Sequence, residues 1–432
     1  MAASPASGQD TRALAFELVR GVIEHGRALD DTFETAMEKS ALSPRDRAFV
    51  RRLATGTLRH FGQSEAIVAR LLDKKPLRPR DTALRCLFAL AVGELVFLKA
   101  PPHAAINGAV NVARAHKAIA HQSGLINAVL RRASREGVEE PPPVLNLPPW
   151  LRARWKETYG ADALAGFAAA QLVEPALDLT VRGDAREWAT TLGARLLPNG
   201  TLRRPLGGRI EELPGYAEGA WWVQDAAAAL PPQLLQAHAG EDVLDLCAAP
   251  GGKTAALAAT GARVTALDRD GSRLARLRTN LARLKLKAEV IEADLACWQP
   301  PRLYDKVLLD APCTATGTIR RHPDVPYLKN ERDIGVLATL QSTLLDAAAR
   351  AVKPGGTLVY AVCSMEPEEG EVQADAFLRR HREFARAPVG PHEVPELGGF
   401  VTPLGDLRTT PAGWVQWGGL DGFFASRFAR AR

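Results

Sequence analysis

The stretch VLDLCAAPGGKT, residues 243–254, decides the fold of this 432-residue chain. Its first five residues form an apolar run typical of a buried parallel strand, and small residues follow before a helix begins at Lys253. Such a turn lets a ligand approach the backbone closely. It is not a Walker A loop, because Cys247 occupies the position of that motif's first glycine, and it is not G-x-G-x-x-G. The stretch therefore predicts the strand, turn and helix that open a Rossmann-like domain.

Two acidic residues follow the next predicted strands. Asp268 ends the strand 263–268, where an acidic residue in a Rossmann-like fold accepts hydrogen bonds from ribose hydroxyls. Asp294 follows the strand 289–292 and is placed to serve a base. The alternative, an ordinary strand–helix turn with solvent-facing acids, is less favoured because the loop and both acids occur in the required order. Alternation of strands and helices continues to residue 362 and predicts a doubly wound, mainly parallel α/β sheet, to which residues 422–430 add an antiparallel strand.

Two cysteines follow apolar runs that also predict buried strands. They are Cys313 in DAPC and Cys363 in VCS. Because ligands of open α/β sheets bind outside the carboxyl ends of the strands, both thiols are placed to face one substrate. A single cysteine at a strand end is more often a packing residue, and by itself each position leaves that alternative open. The chain contains no C-x-x-C pair, so neither a disulfide framework nor a metal site is expected. We expect the other three cysteines to be structural, and these are Cys86, Cys247 and Cys297.

Composition and charge limit the class of protein. Hydrophobic residues make up 46% and charged residues 24% of the chain, which is ordinary for soluble globular proteins. With no apolar stretch long enough for a bilayer and no signal region in residues 1–10, we expect a cytoplasmic protein without membrane contact. The net charge of +6 is uneven: residues 39–85 contain twelve Lys/Arg against four Asp/Glu, and residues 273–287 are also basic. Either group alone is explained by a solvated face, but together they indicate a polyanion partner.

The pattern along the chain predicts four parts. Residues 1–138 show only helical periodicity and predict an all-α domain. Residues 139–149 are rich in proline and predict a stiff, extended linker. Residues 150–220 predict a small α/β module with a hairpin around Asn199-Gly200, and residues 221–432 predict the large α/β domain.

Three motifs together resemble the RNA 5-methylcytosine methyltransferases of the Fmu/Sun, or RsmB-type, family. They are LCAAPGGKT at 246–254, DAPCTATG at 310–317 and CS at 363–364, and they are highly specific. The resemblance covers the rest of the chain as well. AAIN at 104–107 and GLINAVLRR at 124–132 resemble the NusB-like domain of that family, and DGFF at 421–424 fits the same pattern.

The resemblance implies S-adenosylmethionine as the cofactor and assigns roles to residues. It makes Cys363 the nucleophile, Cys313 the residue that assists product release, and Asp310 a contact of the target cytosine. The basic residues of the motif 320–324 become expected phosphate contacts. The cofactor-binding residues implied in this way are Cys247, Ala248, Ala249, Pro250, Gly251, Gly252, Lys253, Asp268, Asp294 and Asp310.

The chemistry explains why such an enzyme needs two thiols. Cytosine C5 is a poor nucleophile, but a thiolate that adds to C6 makes C5 enamine-like, and a base must then remove the C5 proton so that the thiol leaves. Chemistry alone does not say which cysteine attacks. A helix expected near residue 366 would lower the pKa of the Cys363 thiol, although Glu366, Glu368 and Glu369 would oppose that effect. Val362 stands where the family often has Thr, and we expect activity to survive this difference.

We therefore expect a monomeric enzyme that makes 5-methylcytosine in 16S ribosomal RNA, with the helical domain and the 150–220 module binding RNA. One alternative is a methyltransferase acting on tRNA or another RNA. Another is an RNA-binding factor whose methyltransferase domain is inactive, which the intact Cys313, Cys363 and Asp268 disfavour. A methyltransferase for a small molecule or protein is disfavoured by the basic 39–85 region and the paired thiols.

Overall fold

The computed structural model describes residues 8–73, 77–390, 393 and 396–432. Contacts divide the chain into two compact units. Unit 1 comprises Met1–Val173 together with Arg321–Asn330, and unit 2 comprises Glu174–Arg320 and Glu331–Arg432. The division thus falls after residue 173 and not within the predicted linker 139–149. No helix in the described part of the chain is long and apolar enough to cross a membrane.

Unit 1 is helical, as the pattern of its first 138 residues predicts. Local sequence explains where its helices begin: at the start of α3 the Ser43 hydroxyl accepts a hydrogen bond from the Asp46 N–H, and Pro44 occupies the first helical position. The core helix α5 buries Cys86 completely, and burial raises the pKa of this thiol to about 12, so Cys86 is structural as predicted. The helices are α1 Gly8–His25, α2 Leu29–Glu38, α3 Pro44–Arg59, α4 Phe61–Leu71, α5 Thr82–Val92, α6 Pro102–Ala115, α7 Ser123–Glu136, α8 Pro149–Leu172 and, later in the chain, α13 Val325–Leu328.

The proline-rich segment 139–149 packs on unit 1. It contains a 3₁₀ turn, Pro143–Asn146, because proline is well accommodated at the first position of a helical turn. The Asn146 side chain accepts a hydrogen bond from the Gln63 N–H (2.9 Å) and donates one to the Gln63 side chain (2.8 Å). The segment was predicted to be stiff and extended without helix, and the 3₁₀ turn at Pro143–Asn146 contradicts the second part of that prediction.

The segment 321–330 completes unit 1 although it lies far along the chain. The Asp324 carboxylate accepts a hydrogen bond from the Leu29 N–H (2.9 Å), at the first residue of α2. The Tyr327 hydroxyl donates to backbone carbonyls of the same unit. His322 lies 3.5 Å from the Asp30 carboxylate, and their hydrogen bond holds the pKa of Asp30 well below its usual range. His322 thus already has an anionic partner within the protein.

Unit 2 begins with a small antiparallel sheet in which the strand order is β2-β3-β1-β4. The predicted hairpin around Asn199-Gly200 joins β2 to β3. The helix between β1 and β2 is capped by Asp184, whose side chain accepts a hydrogen bond from the Arg186 N–H. The elements are β1 Leu177–Val181, α9 Ala185–Leu192, β2 Arg195–Leu196, β3 Leu202–Arg204 and β4 Trp221–Val223.

The second sheet of unit 2 is the predicted doubly wound sheet. Its order is β10-β12-β9-β8-β5-β6-β7, with β11 paired to β12. Strands β9, β8, β5, β6 and β7 are parallel, and β12 is antiparallel to β9 as predicted for the end of the chain. The elements are α10 Leu230–Leu235, β5 Asp242–Leu246, α11 Gly252–Ala259, β6 Arg263–Asp268, α12 Gly271–Leu284, β7 Glu289–Glu292, β8 Tyr304–Asp310, α14 Glu331–Ala351, β9 Val352–Val362, α15 Glu371–Arg380, β10 Phe384–Arg386, β11 Leu407–Thr409 and β12 Phe423–Arg430.

A buried ionic cluster ties the small sheet to the large one. Arg203 on β3 makes a bidentate pair with Asp178 on β1, with both distances 2.6 Å. Arg320 lies 3.3 Å from Asp225 and 3.4 Å from Asp421. All five side chains are buried, and burial raises the pKa of Asp178. The expectation that Arg320 contacts phosphate was wrong, because its guanidinium, only 1% exposed, is engaged inside the protein.

Removing one member of this cluster should destabilise unit 2. We expect Arg203→Met to lower the free energy of unfolding by about 3–5 kcal/mol, because Asp178 is left buried without its partner. The control is Arg209→Met, since Arg209 is 62% exposed and pairs with Glu211 at the surface; a surface pair contributes about 0–1 kcal/mol. Urea unfolding followed by tryptophan fluorescence measures both changes. Equal losses of unfolding free energy in the two variants would contradict a stabilising role for the buried cluster.

Candidate active site

The carboxyl ends of parallel strands β6, β5, β8 and β9 border one cleft in unit 2. The cleft measures about 980 Å³ including its open mouth, which suits a small-molecule site. It lies where the strand order reverses direction on either side of β5, the position at which open α/β sheets bind ligands. The cleft brings together the following predicted site residues: Cys247, Ala249, Asp268, Asp294, Asp310, Cys313 and Cys363.

The loop after β5 adopts a conformation that few residues allow. Cys247 has φ +58° and Gly251 has φ +103°. A Cβ atom at Gly251 would lie 2.8 Å from Leu277 Cγ, so glycine is required there for space as well as for backbone conformation. Burial raises the pKa of the Cys247 thiol, in keeping with the predicted structural role.

Part of the predicted cofactor loop points away from the cleft. Pro250, Gly251 and Gly252 line a separate cavity on unit 2, together with Trp222 and other residues. Ala248 is buried against an apolar cluster that includes Leu277. The loop therefore presents Cys247 and Ala249 to the cleft, while its remaining residues support the turn.

Asp268 lies at the end of β6 and is held by backbone donors. Its carboxylate accepts hydrogen bonds from the N–H groups of Ala249 (3.0 Å) and Asp270 (3.1 Å). Arg273 lies 3.7 Å from the same carboxylate, and its guanidinium also donates to the Ala249 carbonyl. The sequence analysis placed Arg273 in a basic face for a polyanion. The structure places it at the rim of the cleft, a location that only the three-dimensional contact reveals.

Lys253 and Asp310 form an ion pair beside the cleft. The Lys253 ammonium lies 2.6 Å from the Asp310 carboxylate and 5.2 Å from the centre of the Phe423 ring. Burial acts to lower the pKa of Lys253, but the neighbouring Asp310 outweighs it and the pKa is raised. Lys253 is thus a cation held in place by Asp310.

Asp245 is a buried acid that the sequence analysis missed. It lies within β5, is fully buried, and accepts a hydrogen bond from the Thr254 hydroxyl (2.6 Å). Burial raises its pKa to about 7. The signal was present in the sequence as a single acid inside an otherwise apolar strand, an arrangement that is costly unless the carboxyl group is neutral or paired.

The two cysteines predicted to face one substrate lie side by side. The Sγ atoms of Cys313 and Cys363 are 3.5 Å apart, and both side chains are half-buried. The Gly317 N–H donates to the Cys363 carbonyl, which joins the two loops. The hydrogen bond with Cys363, together with burial, raises the pKa of Cys313 well above its usual range. At this distance, a negative charge on one sulfur disfavours ionisation of the other.

The helix expected directly after Cys363 is absent from that position. Residues 364–370 form irregular backbone and a turn, and α15 begins at Glu371. A helix terminus acts only over about one turn, so it does not reach the Cys363 sulfur. The expected helix start near residue 366 was therefore wrong, and α15 begins five residues later.

Comparisons with known proteins agree with this architecture. The family model described as 16S rRNA methyltransferase RsmB/F matches residues 232–429, and the NusB family model matches residues 9–135. The "Ribosomal RNA small subunit methyltransferase B" of Erwinia tasmaniensis is 35% identical, with 97% of this chain and 98% of the relative covered. The protein of the same name from Klebsiella pneumoniae is 37% identical, with 98% of each chain covered.

Solved structures share the fold. The crystal structure of PH0851 matches with a TM-score of 0.77 and 24% identity, covering 98% of this chain and 99% of the other. A methyltransferase homologue from Pyrococcus horikoshii matches with a TM-score of 0.54 and 25% identity, covering 69% of this chain and 98% of that one. Relatives above 30% identity match this chain over almost their whole length. Family models also match its N-terminal and C-terminal regions. The chain belongs to the RsmB/F family of 16S rRNA methyltransferases.

Proposed function

We propose that this protein transfers a methyl group from S-adenosylmethionine to C5 of a cytosine in 16S ribosomal RNA through a covalent bond between Cys363 and C6. The observation that carries the proposal is the pair of sulfur atoms 3.5 Å apart at the ends of two parallel strands. The relatives named above support the ribosomal RNA substrate, since they match over almost their whole length.

The cleft fits S-adenosylmethionine. Asp268 places an acceptor for ribose hydroxyls at the end of β6, and Asp294 offers an acceptor for the adenine base. Leu267 and Leu295 supply apolar walls for the nucleoside in the same cleft. S-adenosylmethionine contributes a methyl group carried on a positively charged sulfur, and the carboxylates lining the cleft favour a ligand with that charge.

In this mechanism the protein supplies a nucleophile, an orienting acid and a group for release. The Cys363 thiolate adds to C6 of the cytosine and makes C5 electron-rich. Asp310, oriented by Lys253, accepts a hydrogen bond from the N4 amino group of the base and holds the ring in place for attack. Cys313, beside the attacking sulfur, assists removal of the C5 proton and departure of Cys363. The target base must leave its stack to reach this depth.

Exposed cations of unit 1 are proposed to contact RNA. Within the basic region 39–85, several cations are exposed, and Arg59 is buried against the Gln171 carbonyl. Lys74 and Lys75 lie outside the described residues. Phosphate contacts of this kind add affinity without sequence information. The cations proposed for this role are Lys39, Arg45, Arg52 and Arg80.

The proposal is tested by incubating the protein with methyl-labelled S-adenosylmethionine and unmodified 16S ribosomal RNA, then digesting the RNA to nucleosides. We expect label in 5-methylcytidine from 16S RNA and little from tRNA or 23S RNA. Asp268→Ala serves as the cofactor control, and we expect its KM for S-adenosylmethionine to rise by about tenfold or more, as for loss of a charge-assisted hydrogen bond. Label in another nucleoside, or equal label in tRNA, would refute the proposed reaction or its substrate.

A further inference from the structure

Glu369 is a buried carboxylate between the loop that carries Cys313 and the residues that follow Cys363. One of its oxygens accepts hydrogen bonds from the Thr314 N–H (2.9 Å) and the Gln341 side-chain amide (3.0 Å). The other accepts a hydrogen bond from the Ser364 hydroxyl (2.5 Å) and one from the Thr314 hydroxyl. Thr314 and Ser364 are the immediate neighbours of the two cysteines. Glu369 therefore binds both cysteine loops through adjacent residues, although it plays no part in the mechanism described above.

The charged groups on the two sides of the sulfur pair differ: the Glu369 carboxylate interacts with Cys313, and the ion pair of Lys253 and Asp310 lies beside Cys363. Burial raises the pKa of Glu369 above its usual value, and the hydrogen bonds that it accepts offset this rise in part. Among the described residues, the titratable groups that interact with Cys313 include Cys363, Glu369 and Tyr360. Burial raises the pKa of Tyr360 well above its usual range, so this phenol stays neutral. The Lys253 ammonium interacts instead with Cys363, and it is held in place by Asp310.

We propose that Glu369 is a positioning residue that keeps Cys313 protonated, so that the ionised sulfur of the pair is that of Cys363. The negative charge of Glu369 acts on Cys313, and the positive charge of Lys253 acts on Cys363. When the pair ionises in the free protein, the proton leaves Cys363 for solvent and the proton of Cys313 stays on its sulfur. Once Cys363 is bonded to C6 its sulfur carries no charge, and Cys313 can then give its proton to solvent and act as the base for the C5 proton. The division of labour between two otherwise similar thiols then follows from the groups around them. Its meaning for catalysis rests on the proposed function.

The substitution Glu369→Gln removes the negative charge of the side chain and keeps its shape. The N–H donors of Thr314 and Gln341 face one oxygen, which the amide carbonyl replaces. The hydroxyls of Thr314 and Ser364 face the other oxygen, and a hydroxyl can rotate to accept from the new amide N–H₂. Glu369→Gln therefore tests the charge with little change in the hydrogen-bond network.

The test measures the pH at which Cys313 reacts with iodoacetamide. Cys363→Ala is the parent, and peptide mass spectrometry follows alkylation of Cys313 in that parent and in the double variant with Glu369→Gln. A nearby negative charge raises a thiol pKa, so its removal should move the midpoint of Cys313 alkylation to lower pH by about 1 unit or more. Glu368→Gln is the matched control, because it removes a charge from the same turn, and we expect it to move the midpoint far less.

Two results would overturn the proposal. One is a Cys313 midpoint that is the same with Glu369→Gln as in the parent. The other needs no substitution at position 369: in the wild-type protein, iodoacetamide should label Cys363 before Cys313, and equal or reversed labelling would contradict the assignment even if Glu369→Gln failed to fold. Neither readout requires RNA. A wild-type protein that fails to methylate 16S RNA would refute the proposed function and leave the alkylation result standing.

Discussion

Replacing Cys363 with alanine is expected to abolish methyl transfer to 16S ribosomal RNA, with a loss of about 10⁴-fold or more, as for removal of other catalytic nucleophiles. The reason is that without the Cys363 sulfur no bond forms at C6, and cytosine C5 stays too electron-poor to accept a methyl group. The measurement is transfer of labelled methyl from S-adenosylmethionine under single-turnover conditions. The affinity for S-adenosylmethionine, measured by equilibrium dialysis, should change little.

The matched control for this variant is Cys297→Ala. Cys297 is exposed and does not line the cleft, so its removal should leave the rate of transfer within about twofold of wild type. Transfer retained by Cys363→Ala at a tenth or more of the wild-type rate would exclude Cys363 as the nucleophile. The adjacent Cys313 would then become the candidate.

Replacing Cys313 with alanine is expected to produce the second large effect, which is accumulation of a covalent protein–RNA complex. Cys363 remains able to attack, but the group that assists release is missing, so the bond between Cys363 and C6 persists. The measurement is a slow band that contains both protein and labelled RNA on a denaturing gel. We expect most of the protein in that band after incubation with excess RNA and S-adenosylmethionine, against a trace for wild type.

The double variant Cys313→Ala/Cys363→Ala identifies the sulfur in that bond. It should form no complex that survives denaturant, because it also lacks the Cys363 sulfur, which lies 3.5 Å from the Cys313 sulfur in the wild-type protein and forms the bond. A Cys313→Ala protein that turns over normally without an adduct would show that another group performs release. An adduct in the double variant would show that neither cysteine carries the bond.

The elements that position the site were predictable because each has a local signal. The apolar runs before Cys313 and Cys363 predict parallel strands, and the structure places them as the adjacent strands β8 and β9. Since neighbouring parallel strands end at the same edge, the meeting of the two thiols followed from the pattern. The mainly parallel sheet and the antiparallel final strand are confirmed in the same way.

Long-range pairing of polar residues had no such signal. Glu369 and Thr314 are separated by 55 residues, and Arg320 and Asp225 by 95. A charged residue in a sequence is most often exposed, so Arg320 was placed at the RNA surface, although the fold buries it with two acids. The same default made Glu369 an unfavourable neighbour of Cys363, because two of its hydrogen-bond donors, Thr314 and Gln341, lie far from it in the sequence.

The segment 321–330 has a consequence for how the protein is made. Unit 1 begins at the N-terminus, yet its α2 is capped by Asp324, and Tyr327 contributes to its apolar core. A ribosome that adds about 5–20 residues per second needs roughly 7–30 seconds to add residues 174–320 after helices α1–α8 have been made. During that time these helices lack the segment 321–330. A gene fragment ending near residue 173 therefore encodes unit 1 without the segment that bonds the first residue of α2 and adds Tyr327 to the core.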